Sequence, residues 1–399
     1  MLRVVTAVVG LIVAVAGIAA GAESVTEFVR RHWAAPLRPQ GLPPKGWSAL
    51  EASLQPKDCG TCHPAQYGDW RTSVHAVSMG PGVAGQLDEM AANDPAAALE
   101  CYVCHAPLAE QSPAMRTRAG VVPNPIHEGD LRRLGVVCAS CHVRGRQRFG
   151  PPRRDGALVS ATPRARLPHR GVTRTPAFLA SEFCRDCHQF KPDGFTVNGK
   201  LLQNTYEEWK AIRFAREGTQ CQDCHMPDRR HLWRGIHDEA MVRSGLEITL
   251  DAPAPAVGQD FTLTLEVKNA RVGHAFPTYV TPRVILRGEL IGPSGEIVKG
   301  SRQEAVIARE VELDLSREFS DTRLAPGQSA RLSYTGRADA VGARVRLSVV
   351  VEPDAFYTRF FETLLAQGAG RGESQIREAL EATRRSPFVV FQRELAIER

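Results

Sequence analysis

Cysteine is missing from both flanks of this chain: none precedes Cys59 and none follows Cys224 in 399 residues. The first absence leaves no lipobox, so no lipoprotein anchor is expected. The second, with a single histidine, His274, after residue 244, leaves the C-terminal half without a covalent attachment site of the kind described below. Long apolar runs are scarce as well. Only residues 4–22 approach the roughly 20 residues of a membrane span.

What the chain does contain is regular. All ten cysteines fall into five copies of Cys-x-x-Cys-His: Cys59/Cys62/His63, Cys101/Cys104/His105, Cys138/Cys141/His142, Cys184/Cys187/His188 and Cys221/Cys224/His225. Two thiolates one helical turn apart can each form a thioether to one edge of a porphyrin, and the next residue places an imidazole under the iron. That is the attachment chemistry of c-type haem. Paired cysteines at this spacing also hold zinc or form disulfides, but neither use needs a histidine after every pair. With 12 histidines in the chain, five such placements by chance have a probability on the order of 10⁻⁸. Five covalently attached haem c groups are therefore expected, with His63, His105, His142, His188 and His225 as proximal ligands.

The N-terminus reads Met1, Leu2, Arg3, an apolar run, then Ala20-Gly21-Ala22 before Glu23. This is the pattern of a secretory signal peptide over 1–22, with an uncleaved membrane anchor through 4–22 as the alternative. Export suits c-type attachment, and a periplasmic or cell-surface location is expected. Residues 23–244 carry 29 Lys+Arg against 23 Asp+Glu, whereas residues 245–399 carry 20 against 21. Ten haem propionates would offset the basic excess, so a nucleic-acid partner does not follow from charge. Between residues 131 and 176 eleven arginines, including Arg144, Arg146, Arg148, Arg153, Arg154, Arg164 and Arg166, face one acid, Asp155. Their guanidinium forks suit carboxylates, either propionates within the protein or an acidic redox partner outside it.

The fold class expected is multidomain α+β. Residues 23–244 would form a pentahaem domain, mainly helical and irregular, because about 44 residues per motif is too little chain for a core without a staple. Residues 35–46 read as an extended strap. Thr205-x-x-Glu208 reads as a capping box opening a helix that Gly218 stops before Cys221. From Gly245 the period becomes two, as in Phe261-Thr-Leu263-Thr-Leu265-Glu-Val267, Val284 to Leu290 and Val345-Arg-Leu347-Ser-Val349, with turns at Pro293-Ser-Gly295 and Pro326-Gly327. An antiparallel β-sandwich of immunoglobulin-like size is expected over 245–399. It would be interrupted by one helix carrying Phe356, Phe360 and Leu364 and another over 375–384, and closed by a strand over 388–397.

Seven histidines remain for the sixth iron positions: His32, His75, His127, His169, His231, His237 and His274. On a continuous helix His63 and His75 stand twelve residues and about 18 Å apart. They could not share an iron, and His75 would serve a different haem. His75, His127, His169, His231, His237 and His274 are the candidate distal ligands, His274 reaching a haem from the C-terminal half; His32 is the weakest of the seven.

The segments Cys59-Gly-Thr-Cys-His-Pro-Ala-Gln-Tyr-Gly-Asp-Trp70 through His75, Ser181 to Phe190, and Asn204 to Trp209 leading into Cys221-Gln-Asp-Cys-His-Met-Pro227 resemble bacterial multihaem cytochromes of the cytochrome c-554 type. The likeness extends to the hydroxylamine oxidoreductase and nitrite reductase superfamily. Gly273-His-Ala-Phe-Pro-Thr278 resembles the signature of a β-sandwich appended to some of these cytochromes. The resemblance implies His75 as a distal ligand and haems stacked in parallel and perpendicular pairs. One departure counts against enzymatic activity: pentahaem nitrite reductases typically carry a lysine in place of one motif histidine, and all five motifs here end in histidine.

The function expected is electron transfer through mostly bis-His haems. The donor would be a membrane quinol oxidase module or another cytochrome, and the acceptor periplasmic or extracellular. The alternative is reduction or oxidation of a small nitrogen, sulfur or peroxide species at one five-coordinate haem. A third role is assembly into a homo-oligomer or filament through the sandwich.

Overall fold

The computed structural model describes residues 23–34, 37–337 and 339–398. The expected signal peptide or anchor at 1–22, and Ala35 and Pro36 at the start of the strap, lie outside the described residues.

The first half is built of short helices, and each cysteine motif lies on or at the end of one. Helices Pro56–Cys62, Pro95–His105, Cys138–His142, Glu182–His188 and Cys221–His225 carry the five motifs. A continuous helix from His63 to His75 does not form. Pro64–Trp70 is helical, and a separate 3₁₀ turn, Val74–Val77, carries His75. The capping box read at Thr205 also forms differently. Helix Thr205–Lys210 begins without a side-chain cap; Thr205 Oγ1 instead lies 2.8 Å from Thr278 Oγ1, and Glu208 accepts from the Ala275 amide at 3.1 Å. Tertiary partners across the fold outcompete the local cap. A second break separates this helix from Arg213–Arg216, and Gly218 follows at φ 83°.

The second half contains two large antiparallel sheets and a short two-stranded one, Arg309–Val311 with Glu318–Asp321. The principal strands are β1 (Leu246–Asp251), β2 (Asp260–Asn269), β3 (Arg283–Ile291), β4 (Gln303–Ile307), β5 (Ser329–Arg337), β6 (Arg344–Glu352) and β7 (Phe388–Ala396). One large sheet has the order β4-β3-β6-β7 and the other β5-β2-β1. Alternation sets their facing sides: Leu263, Leu265 and Val267 of β2 are fully buried with Val284 and Leu286 of β3 and Val345, Leu347, Val349 and Val351 of β6. These residues form one core between the sheets, the arrangement of a β-sandwich.

Between β6 and β7 the chain leaves the sheets as helices Ala355–Gln367 and Glu373–Arg384. These pack on helix Pro81–Asn93 of the first half, where a Cβ on Gly85 would meet the Gly372 carbonyl at 2.9 Å and Ile376 at 3.0 Å. Glycine permits that approach. A second anchor is the hairpin Thr196–Val197/Lys200–Leu201, whose carbonyls accept from the buried Arg309.

Candidate haem-binding site

None of the ten cysteines is in a disulfide, and most are half-buried. Among the described residues no three His, Cys, Asp or Glu side chains converge to hold a bare metal ion. The two thiols and imidazole of a motif therefore do not form a zinc site.

Three motif histidines face a second histidine from elsewhere in the chain. Ring centroids are 6.2 Å apart for His142 and His231, 6.3 Å for His188 and His75, and 6.4 Å for His225 and His274. Two metal–nitrogen bonds of about 2.0–2.1 Å, plus roughly 1.1 Å from each nitrogen to its ring centre, sum to about 6.3 Å. These spacings fit an iron held between two imidazoles.

The ring nitrogens are oriented accordingly. The Nδ1–H groups of His105, His142 and His225 donate to the carbonyls of Ser78, Phe149 and Arg234 at 2.7, 2.8 and 2.7 Å. Those of His231 and His274 donate to Arg229 and Ala275 at 3.1 and 2.9 Å. A carbonyl only accepts, so each bond fixes the tautomer that leaves Nε2 as a lone-pair donor. Burial pushes His75 down to about 3, and His142 and His274 to about 4, keeping these imidazoles neutral as ligands must be.

The remaining candidates divide. His169 lies close enough to His63 for their charges to interact. It adopts φ 40°, and Arg170 φ 57°, a left-handed conformation that non-glycine residues occupy at a cost and that recurs at functional sites. His127 Nε2 is buried without a hydrogen-bond partner. His237 is placed otherwise: it is half exposed, and its Nε2 is 3.0 Å from Asp354 Oδ1. That nitrogen, expected above to be free for iron, is engaged by a carboxylate. His32 is wholly buried, with Nε2 donating to the Cys141 carbonyl at 2.8 Å and its ring stacked on Phe28. Burial pushes it down to about 3, and it serves as a packing residue behind the third motif.

Cysteines of different motifs also meet. The thiols of Cys59 and Cys138, of Cys104 and Cys187, and of Cys184 and Cys221 are neighbours. Cys141 lies near Cys184 and Cys187, so the five attachment points form one connected group.

Several arginines have a role that their spacing did not announce. Arg144 donates to the His32 carbonyl at 2.6 Å, and Arg146 donates to Gly41 at 2.9 Å and to Ala52. Arg148 reaches the Glu51 carbonyl at 2.8 Å. These three side chains fasten the N-terminal segments, strap included, over the first and third motifs. Arg144 also stacks on Trp33 and leaves Nη2 buried without a partner, a donor placed as a haem carboxylate would need.

Taken together, fold and motifs define a class: this chain is a multihaem c-type cytochrome, binding haem c covalently. Residues 58–143 match the family model of cytochrome c554 and c-prime. Cytochrome c-554 of Nitrosomonas europaea is 30% identical over 143 residues, 33% of this chain and 55% of that protein. The chain thus spans about half the length of this curated relative. The crystal structure of a penta-heme cytochrome c552 from Thermochromatium tepidum matches 88% of this chain and 100% of its own, with a TM-score of 0.58 at 19% identity. At that identity the likeness is one of fold.

Proposed function

We propose that the chain is an exported pentahaem cytochrome that carries electrons between redox proteins. In this reading residues 23–244 hold the haems and residues 245–399 support them. The observation that carries it is the set of three imidazole pairs at 6.2–6.4 Å whose Nδ1 groups are largely committed to backbone carbonyls. Two strong ligands leave an iron no site for substrate, and bis-His coordination suits electron transfer at low potential.

Bound haem c would supply a one-electron iron couple. The residues do the rest. Ten cysteines tether the groups, His63, His105, His142, His188 and His225 hold one axial side, and His231, His75 and His274 the other for three of them, with His169 assigned to the His63 side. The contacts between cysteines of different motifs keep neighbouring attachment edges close, which electron transfer requires. No helix among the described residues is long and apolar enough to cross a membrane.

A second reading rests on the second motif. His105 belongs to none of the imidazole pairs, and two tyrosines from the C-terminal half, Tyr279 and Tyr357, lie near Cys104 and Cys101. Burial raises both phenols above their usual range, keeping them as hydrogen donors. An open iron there would suit reduction or oxidation of a small molecule.

Carbon monoxide binding to the fully loaded, dithionite-reduced protein separates the readings. Absence of a Soret shift is the result expected of an electron carrier with every sixth position filled. About one equivalent bound would favour the second reading and direct nitrite, hydroxylamine and peroxide assays to the second motif.

A further inference from the structure

The loop from Pro151 to Gly171 is the most basic exposed surface of the haem-bearing half. It carries Arg153, Arg154, Arg164, Arg166 and Arg170 against the single acid Asp155, and all five arginines are exposed. Arg153 and Arg154 pair with Asp155 and Asp228. Among the described residues Arg164, Arg166 and Arg170 form no ion pair, Arg164 donating only to Thr173 Oγ1 at 2.7 Å. The arginines that fasten the strap, Arg144, Arg146 and Arg148, lie outside this loop, so the strap does not consume its charge.

Two further features distinguish the loop from an ordinary solvated one. Its tip exposes adjacent apolar side chains, Leu158 at 48% and Val159 at 80%. Its end is tied down: the His169 amide donates to Glu51 Oε1 at 2.8 Å, and the same residue, at φ 40°, lies within range of the His63 charge. A free cationic surface with an apolar tip thus ends within one residue of a candidate axial ligand of the first motif.

We propose that this loop is the docking surface for an acidic electron-transfer protein, with the haem of the first motif as the port through which the electron enters or leaves. The inference rests on the electron-carrier reading and adds to it the chemistry of the partner and the place of contact. Guanidinium groups pair with the partner's carboxylates and steer its approach, while Leu158 and Val159 supply a small apolar centre inside a charged rim. The step is the passage of one electron from donor to a ferric haem, with no bond made or broken.

The test uses the fully loaded full-length protein and, as probe, a small acidic flavodoxin in its fully reduced form. The second-order rate of haem reduction is followed by stopped flow at about 0.01 M and about 0.5 M salt, where the screening length falls from about 30 Å to a few ångströms. R164E/R166E is expected to lower the low-salt rate at least tenfold and to flatten its salt dependence. Reduction by a small neutral flavin and the haem spectrum should stay as in the parent. R359E/R393E, two exposed arginines of the C-terminal half without ion pairs, should leave the flavodoxin rate unchanged. If the charge reversals disturb the spectrum, R164Q/R166Q is measured instead, with a smaller loss in the same direction. Parent-like low-salt rates in both loop variants, or an equal loss in R359E/R393E, would overturn the proposal. Carbon monoxide binding tests the electron-carrier reading separately, so the two can fail independently.

Discussion

Arg309 donates through Nε to Glu318 Oε2 at 2.8 Å, and the two side chains are only 1% and 5% exposed. The rest of the guanidinium reaches out of the sandwich to the carbonyls of Leu201 and Val197, both at 2.9 Å, and of Lys200. One buried cation therefore satisfies a buried carboxylate and the backbone of a hairpin from the haem-bearing half. Removing it strands the hairpin carbonyls and leaves Glu318 with Lys200, at 2.8 Å, as its remaining cation. Arg309→Ala should cost about 3–5 kcal/mol, the usual penalty for removing one partner of a buried pair. In chemical denaturation the midpoint should fall accordingly, and the 196–201 hairpin should become the first protease cleavage site. A stability within about 0.5 kcal/mol of the parent would mean that water replaces the guanidinium at little cost.

The same cluster gives the interface a dependence on acid. The Asp321 side chain is partly covered, at 17% exposure, which by itself would raise its pKa, but Arg323 and Lys200 hold its carboxyl well below the usual carboxylate range; Glu318 is lowered on balance by Lys200 and Arg309. A depressed carboxylate stabilises the fold at pH values above its unfolded pKa of about 4, and that contribution is lost as pH falls toward the folded value. Melting temperature should thus decline between about pH 5 and pH 2. Asp321→Asn should be less stable at neutral pH and show a shallower decline. An identical slope in parent and variant would assign the acid sensitivity to other carboxylates.

How much of this was legible beforehand depended on whether the signal was local. The five motifs stand out because thioether chemistry demands fixed spacing, and β2 because Leu263, Leu265 and Val267 must face one core. Helix Ala355–Gln367 was equally visible in Phe356, Phe360 and Leu364. Thr205 and Glu208 misled because their side chains serve Thr278, Ala275 and Arg323, 67 or more residues away in sequence. Helix Val25–His32, with Ser24 and Glu27 in a true capping box, escaped notice although its signature was present. Which histidine faces which motif had no sequence signal at all, since His142 and His231 meet only through the tertiary fold. Nor did the spacing of Arg144, Arg146 and Arg148 reveal that they bind carbonyls rather than carboxylates.

Gly135 tests how tightly the surroundings of His75 are built. It lies at φ 62°, and a Cβ there would come within 2.3 Å of Ser78 Oγ and 2.6 Å of the His75 carbonyl. Ser78 Oγ is also within 2.8 Å of the His105 carbonyl and accepts from the Val136 amide at 3.0 Å. Gly135→Ala combines a disfavoured backbone with a backbone clash and should destabilise by about 1–3 kcal/mol. Because the clash includes His75, the electron paramagnetic resonance signature of one low-spin haem should shift. Gly288→Ala also overpacks, against Tyr334 at 2.3 Å, but lies within the sandwich and should destabilise without moving any haem signal. Parallel effects of the two would mean that the signal reports global loosening.

His274 and His237 offer the sharpest contrast among the histidines. His274 lies in a segment fixed at the Ala275 amide and Thr278 hydroxyl by Glu208, with its Nδ1 bound to a carbonyl and its ring 6.4 Å from His225 at an interplanar angle of 11°. His237 spends its Nε2 on Asp354 at 3.0 Å. His274→Ala should open one iron: the reduced protein should gain about one equivalent of carbon monoxide over the parent, and one low-spin signal should become high-spin. His237→Ala should bind no more than the parent and lose at most about 1 kcal/mol with its partly exposed contact to Asp354. Unchanged spectra in His274→Ala would remove it from the ligand set and leave the fifth motif's second imidazole to be sought elsewhere. A gain in His237→Ala would show that its contact with Asp354 gives way to iron when the protein is loaded.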